Sequence, residues 1–331
     1  MIEHVLDLGN QLKKELETSS DFVIDSYKDL LIIGMGGSGV AGDVLKLVMN
    51  ETTQINVEVR KAYGIPEVIA KRKPKCLFIS YSGNTEETVE AVNDAIQFNL
   101  DWSVISSGGQ LLELALKHKK PYVKVPSGLQ PRAAFGLMTK AVMHFAYSEE
   151  SGKYLELCDQ AGDYLNEVLS TESQNELLSS ALKISKEIDT KTAVIYGGTP
   201  LTYLVAQRWK TQINENAKSK AFVGYMPEIH HNEILSWEAN KQDSKNNYQL
   251  LFLRSSYENS QVSKRFELTK EIIGDKVNIS EIHNISTKNI ISNLFHLILI
   301  GDLVSVYMAE NLNIDPYDIT AIEQLKKLLK G

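Results

Sequence analysis

The 331-residue chain is long enough for two domains of ordinary size, and its 43% hydrophobic content supplies a core that needs neither disulfides nor metals. A net charge of −7 without any block of basic residues argues against a nucleic-acid partner. The two cysteines, Cys76 and Cys158, read as core thiols rather than as a bridge.

Met1 to Glu17 reads as an amphipathic helix with charges throughout, not as a signal peptide. Beyond it, strands are predicted at 30–33, 55–59, 76–80, 102–106 and 121–125. Helices are predicted near 39–50, 85–99 and 109–118, and another over 133–148 closes the domain. This βαβ rhythm implies a parallel sheet with helices on both faces. Residues 152–189 read as a charged helical connector. The rhythm then restarts with a strand at Thr192–Tyr196, a Gly197-Gly198-Thr199-Pro200 turn and a helix at Leu201–Asn216. Strands Tyr248–Leu253 and Val277–Ile282 follow, then long helices over 287–310 and 317–329. Lys241–Asn247 reads as an ordinary polar loop. The apolar run Leu294 to Met308 contains Asp302 and is too short to span a bilayer, so it reads as a buried helix. The expected fold class is α/β, with two doubly wound domains of mainly parallel sheets flanked by helices, residues 1–150 and 151–331. The two halves repeat one order of elements, which points to an internal duplication. A soluble, cytoplasmic protein is expected.

Two turns of the first half have the chemistry of an anion site. Leu30–Ile33 runs into Gly34-Met35-Gly36-Gly37-Ser38-Gly39, and Cys76–Ile79 runs into Ser80-Tyr81-Ser82-Gly83-Asn84-Thr85. Free N–H groups at a helix start bind anions, and short hydroxyls add donors without adding charge. Such loops suit a phosphate monoester that is held and then released. The first turn also contains G-x-G-x-x-G, with Glu58 at the spacing of a ribose-binding acid. Glu58 lies inside a predicted strand, however, and a dinucleotide site does not need the second hydroxyl-rich loop. A tight turn without ligand is the remaining reading. In the second half, Gly197–Pro200 and Arg254–Asn259 stand in the corresponding places with this chemistry lost, so one phosphate site per chain is expected.

Three further segments carry candidate chemistry. Asn214-Glu215-Asn216 continues a helix poorly but suits the orientation of a carboxylate by neighbouring hydrogen bonds; a solvated helix end is the plain alternative. Pro227-Glu228-Ile229-His230-His231-Asn232-Glu233 sets two histidines beside acids. Its spacing is not H-E-x-x-H and no cysteine cluster accompanies it, so acid–base work by a histidine is preferred to a metal site. Arg132 follows a proline turn at a helix start, where its fork would stabilise an oxyanion, although most single arginines are surface charges. Phosphate clamp, carboxylate, histidine and arginine together suggest aldose–ketose chemistry on a sugar phosphate. The phosphate anchors the far end, a carboxylate moves a carbon-bound proton, and a cation stabilises the enediolate.

On these residues the chain resembles the bifunctional phosphoglucose/phosphomannose isomerases of the sugar isomerase (SIS) domain superfamily, over nearly its whole length. Gly34–Gly39 and Ser80–Thr88 carry the superfamily; Pro131–Ala134, Asn214–Lys218 and Pro227–Glu233, in that order, are more specific. The resemblance implies two SIS-type domains and a homodimer whose active sites are shared between subunits. It implies phosphate binding at Gly37, Ser38, Ser80, Ser82 and Thr85, Glu215 as the proton-transfer base and Arg132 as the enediolate stabiliser. His231 would assist ring opening from the partner subunit; alignment of His-Asn-Glu selects it over His230, which stands where many relatives have Asn. A C-terminal lysine also takes part, with Lys326 the candidate and Lys327 and Lys330 close by. Glucose 6-phosphate, mannose 6-phosphate or both would be interconverted with fructose 6-phosphate through an enediol(ate), with no cofactor, metal, nucleic acid or membrane. Two alternatives stay open. One is a non-catalytic SIS-type regulator that binds a sugar phosphate, which does not need Glu215 with His231. The other is an isomerase of another sugar phosphate, aminosugars included; no glutaminase-like nucleophile starts the chain, so amide nitrogen transfer is not expected.

Overall fold

The structure, a computed structural model, describes residues 1–19, 27–146, 151–170, 173–285, 287 and 289–329. It divides into two compact units. The first comprises residues 6–169 with 287–292, and the second residues 1–5, 170–286 and 293–331.

The first unit carries six strands: β1 (Glu17–Thr18), β2 (Asp29–Gly34), β3 (Asn56–Arg60), β4 (Lys75–Ile79), β5 (Trp102–Ser106) and β6 (Tyr122–Lys124). Their order is β1-β6-β5-β4-β2-β3, with every neighbouring pair parallel except β1 with β6. The central strands are continuous apolar runs because both faces of a parallel sheet are covered. Leu31, Ile33, Phe78, Trp102 and Val104 meet residues of helices Glu86–Gln97 and Gly109–Lys117, among them Val92, Leu111 and Ala115. The alternate residue Ile32 points the other way, against Gly42 of helix Gly36–Thr52. The sheet grows from β2 in two directions, to β3 on one side and β4 on the other. Such a reversal opens a crevice beyond the carboxyl ends of the two central strands. The loops after β2 and β4, the two hydroxyl-rich turns, flank it.

The second unit has four parallel strands: β7 (Thr192–Gly197), β8 (Ala221–Tyr225), β9 (Tyr248–Arg254) and β10 (Asn278–His283). Their order, β10-β9-β7-β8, repeats β5-β4-β2-β3 strand for strand. The duplication therefore exists in topology.

Some elements differ from expectation. The N-terminal helix is two short ones, Ile2–Leu6 and Leu8–Lys13, interrupted at Asp7, whose Oδ1 accepts from Asn10 Nδ2 at 2.9 Å. Lys241–Asn247 is helical, not a loop: the Asn240 side chain caps it by accepting from Asp243 N at 3.1 Å, and Asn247 Nδ2 donates to Asp243 Oδ1 at 2.7 Å. Strand β8 and helix Ser260–Ile273 are absent from the sequence reading. The helix expected at 133–148 is a 3₁₀ turn, Pro131–Ala133, followed by Phe135–Met143, and residues 147–148 lie outside the described residues. The 152–189 stretch forms two helices, Ser151–Ser170 and Ser173–Ile188, with 171–172 likewise outside. Cys76 and Cys158 are free and buried, and burial pushes both thiols up to about 12.

The apolar run around Asp302 lies in the helix Ile290–Asn311, close to the long helix expected over 287–310. Its 22 residues are long and apolar enough to cross a membrane, yet 83% of its apolar window is buried. The second unit uses it as a dock for helix Pro200–Asn216. Arg208 Nε and Nη2 donate to the Asp302 carboxylate at 3.1 and 2.5 Å, and Trp209 Nε1 donates to Leu297 O at 2.8 Å. Asn216 Nδ2 reaches Ser305 Oγ at 2.9 Å. Arg208 and Asp302 are each 2% exposed, so removing one strands the other in the interior. Asp302→Ala is expected to cost about 3–5 kcal/mol, read as a large fall in melting temperature. Arg208→Met with Asp302→Leu should recover much of it. An Asp302→Ala protein as stable as the parent would rule out the buried pair.

Candidate active site

Around the crevice of the first unit, the two helices start without a side-chain cap. Met35 stands at the N-cap of Gly36–Thr52 and Thr85 at that of Glu86–Gln97, and neither side chain caps its helix. Thr85 has the hydroxyl for the task, but its Oγ1 lies 2.7 Å from Ser80 Oγ instead. Ser80 is buried and also accepts from Gly83 N at 3.1 Å. Ser38 Oγ accepts from Tyr81 N at 3.2 Å and so ties the first loop to the second. Tyr81 OH in turn donates to Pro126 O at 2.9 Å and accepts from Leu129 N at 3.0 Å, which adds the loop after β6. Gly83 sits at φ +71°, and a Cβ there would lie 1.8 Å from Gly108 O, so this turn admits no other residue. Ser82 is exposed at its tip, where its Oγ accepts from Asn84 N at 3.3 Å. Ser38 and Ser80 thus shape the loops, while Ser82 and the helix-start N–H groups remain open to an anion.

Arg132 joins this group. A Cβ on Gly37 would stand 3.5 Å from Pro131 O and 3.8 Å from Arg132 Cα, so the 3₁₀ turn Pro131–Ala133 lies over the start of helix Gly36–Thr52. Arg132 is 5% exposed. Gln11, which the sequence does not single out, clasps its turn: Nε2 donates to Ala133 O at 2.9 Å and Oε1 accepts from Gly136 N at 3.1 Å. The structure therefore gathers Gly37, Ser38, Ser80, Ser82, Thr85 and Arg132 at one end of one sheet. Glu58 does not fit a ribose site: it lies within β3, and its Oε2 accepts from Arg72 Nη2 at 2.7 Å.

The corresponding loops of the second unit are closed on themselves. Thr199 and Thr202 form a capping box at helix Pro200–Asn216, with Thr202 N donating to Thr199 Oγ1 at 3.1 Å and Thr199 N to Thr202 Oγ1 at 3.0 Å. At the end of β9, Arg254 is buried against Glu258, Glu267 and Glu281, and Ser255 N donates to the Glu258 carboxylate at 2.8 Å. In this loop a carboxylate of the chain itself takes up the backbone N–H of Ser255 and the charge of Arg254.

Glu215, His231 and Lys326 belong to this second unit. Glu215 is half-buried in the last turn of helix Pro200–Asn216. The helix stops there because Lys218 adopts φ +51° and Ser219 N reaches back to Ile213 O at 3.4 Å. The flanking asparagines fix the main chain: Asn214 Nδ2 donates to Ser219 O at 2.8 Å, and Asn216 is held by Ser305. Lys218 Nζ donates to Glu215 O and to Asp315 O, each at 2.8 Å. The Asn-Glu-Asn signal thus works through the helix end that carries the carboxylate.

The two histidines separate cleanly. Both lie in the 3₁₀ turn Glu228–His231. His230 bonds helix Ser260–Ile273 through Arg265 and Thr269. His231 is exposed and has neither a hydrogen bond nor an ion pair of its own among the described residues. The neighbouring acids are committed elsewhere, Glu228 to Asn232 Nδ2 at 3.1 Å and Glu233 to Tyr196 OH at 2.6 Å. Lys326 is exposed on helix Thr320–Leu329, which buries none of its residues. Lys330 lies outside the described residues.

Two family models match the chain: the bacterial phospho-glucose isomerase C-terminal SIS domain over residues 178–329, and the SIS domain over residues 24–108. The bifunctional phosphoglucose/phosphomannose isomerase of Thermoplasma acidophilum is 32% identical over 98% of this chain and 98% of its own length. The protein of the same name from Caldicellulosiruptor bescii is 30% identical over 99% and 98%. Among solved structures, a hypothetical protein from Thermus thermophilus superimposes with a TM-score of 0.74 at 14% identity, over 99% of this chain and 86% of that one. That likeness concerns the fold alone.

Proposed function

Because the chain belongs to the family of bifunctional phosphoglucose/phosphomannose isomerases, we propose that it is an aldose–ketose isomerase interconverting glucose 6-phosphate and mannose 6-phosphate with fructose 6-phosphate. The observation that carries this reading is the pair of linked, hydroxyl-rich loops at uncapped helix starts, with Arg132 packed over one of them, in a chain that also bears the Glu215 and His231 motifs.

The phosphate sits against the loops of Gly37–Ser38 and Ser80–Thr85 and orients the sugar. After ring opening, Glu215 removes the C2 proton of the aldose. The C2–H electrons form the C1=C2 bond of an enediolate, whose negative oxygen is stabilised by Arg132. Return of the proton to C1, with transfer of a hydroxyl proton between O2 and O1, gives the ketose. Glucose and mannose 6-phosphates differ only at C2, which becomes planar in the enediolate, so one site serves both. No electrons leave the substrate, so the reaction balances without a redox cofactor. The protein acts as a cytoplasmic homodimer with shared sites, and Lys326 is the C-terminal lysine that takes part.

A coupled assay for fructose 6-phosphate from each aldose phosphate tests the function directly. Tight binding of both sugars with no turnover would instead favour a regulator, and turnover of neither would sink the isomerase reading. The phosphate clamp has its own test. Ser82→Ala with Thr85→Ala should raise KM by at least about 10- to 100-fold, the effect of losing a single hydrogen bond to a charged group at about 1.5–3 kcal/mol. An unchanged KM in this double variant counts decisively against the clamp.

A further inference from the structure

His230 and His231 are adjacent in sequence and opposite in circumstance. Arginine only donates, so Arg265 Nη1, 2.9 Å from His230 Nδ1, makes that nitrogen an acceptor. The ring proton then lies on Nε2 and is donated to Thr269 Oγ1 at 2.7 Å, while the Thr269 hydroxyl passes its own proton to Arg265 O at 2.6 Å. Burial first, then the charge of Arg265 and the nearby His231, hold the His230 pKa below the ordinary histidine value. His230 is therefore a neutral bracket between the 3₁₀ turn and helix Ser260–Ile273.

A second bracket lies two residues beyond His231. Tyr196 is fully buried in β7, stacked on Phe252 with ring centroids 6.1 Å apart. Its hydroxyl donates to Glu233 Oε1 at 2.6 Å and accepts from Trp237 Nε1 at 3.2 Å. Burial, then the bond to Glu233, push its pKa up, so the phenol keeps its proton. Room for this ring comes from Gly224, paired with Tyr196 across β7 and β8: a Cβ there would lie 2.6 Å from Tyr196 Cε1. Between the brackets Asn232 Oδ1 accepts from Glu233 N at 2.5 Å and starts the next 3₁₀ turn, Glu233–Trp237.

We propose that Tyr196 and His230 are positioning residues for His231, which fix the segment on both sides of it so that its exposed imidazole is presented in one orientation for ring opening. The proposal rests on the reading of His231 as the ring-opening group. In that step the imidazole takes the proton of the anomeric hydroxyl and, as the imidazolium, delivers it to the ring oxygen O5. The C–O5 bond breaks as the carbonyl forms. A sugar that is already open has no use for it.

The test compares fructose 6-phosphate with its 5-deoxy analogue, which lacks O5 and has O6 esterified, so it stays open. Tyr196→Phe and His230→Ala should each lower kcat/KM for fructose 6-phosphate by about 10- to 100-fold, short of the full loss of a general acid–base group. Activity on the open analogue should be unchanged. Glu233→Gln, which keeps an acceptor for the phenol, should behave as the parent, and Glu233→Ala should follow Tyr196→Phe; this pair carries the test if Tyr196→Phe does not fold. Equal losses on both sugars, or no loss on either, overturn the proposal. His231→Ala separates it from its premise. Where that variant spares fructose 6-phosphate, the ring-opening role itself is wrong and the proposal falls with it. Where His231→Ala is selective and the bracket variants are not, only the positioning is wrong.

Discussion

Glu215→Gln is expected to abolish isomerisation while sugar-phosphate binding persists. The substitution exchanges one carboxylate oxygen for NH₂, and the main chain around it is fixed independently by Asn214, Asn216 and Lys218. Shape and neighbours survive; the base does not. Removal of a positioned general base costs about 10²–10⁴ in rate. The loss here should exceed that range, because a carbon acid gives up its proton far more reluctantly than an oxygen acid. On the proposed reading binding should persist, because the phosphate is held by the loops at Ser80–Thr85 and Gly37–Ser38 and not by Glu215. Titration calorimetry with fructose 6-phosphate checks affinity. Incubation in D₂O reads the chemistry: the parent exchanges a carbon-bound hydrogen of the sugar, and the variant should not. Deuterium entering at the parent rate would show that another group carries the proton.

The parts of this protein that were legible in its sequence are those where one physical cause dominates. The buried parallel strands β2, β4, β7 and β9 are built on continuous apolar runs, β5 is buried throughout although it includes Ser103 and Ser106, and each of the five lies within a residue or so of its expected place. The hydroxyl-rich turns declare themselves because glycine and short hydroxyls have few reasons to cluster. Strand β8 carries no such signal. It is an edge strand with Phe222 exposed, and Gly224 there is explained by the Tyr196 ring across the sheet. Helix Lys241–Asn247 is made of polar residues, and its cap at Asn240 outweighs its lack of an apolar face. Gln11 was unreadable for a different reason: it acts on a turn more than a hundred residues away, and nothing local to it distinguishes it from a surface glutamine. The histidine pair shows the same limit. Which ring is bracketed and which is displayed depends on Arg265 and Thr269, supplied by a helix the sequence reading did not contain.

Mixing two dead variants should restore activity. His231 is exposed and unbonded within its own chain among the described residues, as expected of a group that completes a neighbour's site. A two-fold dimer makes the consequence countable, because whatever one chain lends, it also receives. Take one chain with Glu215→Ala and another with His231→Ala, each inactive alone, and let them exchange. If His231 crosses the interface, one site of the heterodimer combines both lesions and the other contains neither, so each heterodimer regains one working site of its two. If His231 serves the site of its own chain, every site keeps one lesion and the mixture stays inactive. Native mass spectrometry establishes that heterodimers have formed, and the coupled assay reads the outcome. An inactive mixture with heterodimers present would place His231 and Glu215 of one chain in one site. It would leave the isomerase reading untouched, since the Glu215 exchange experiment tests that reading on its own.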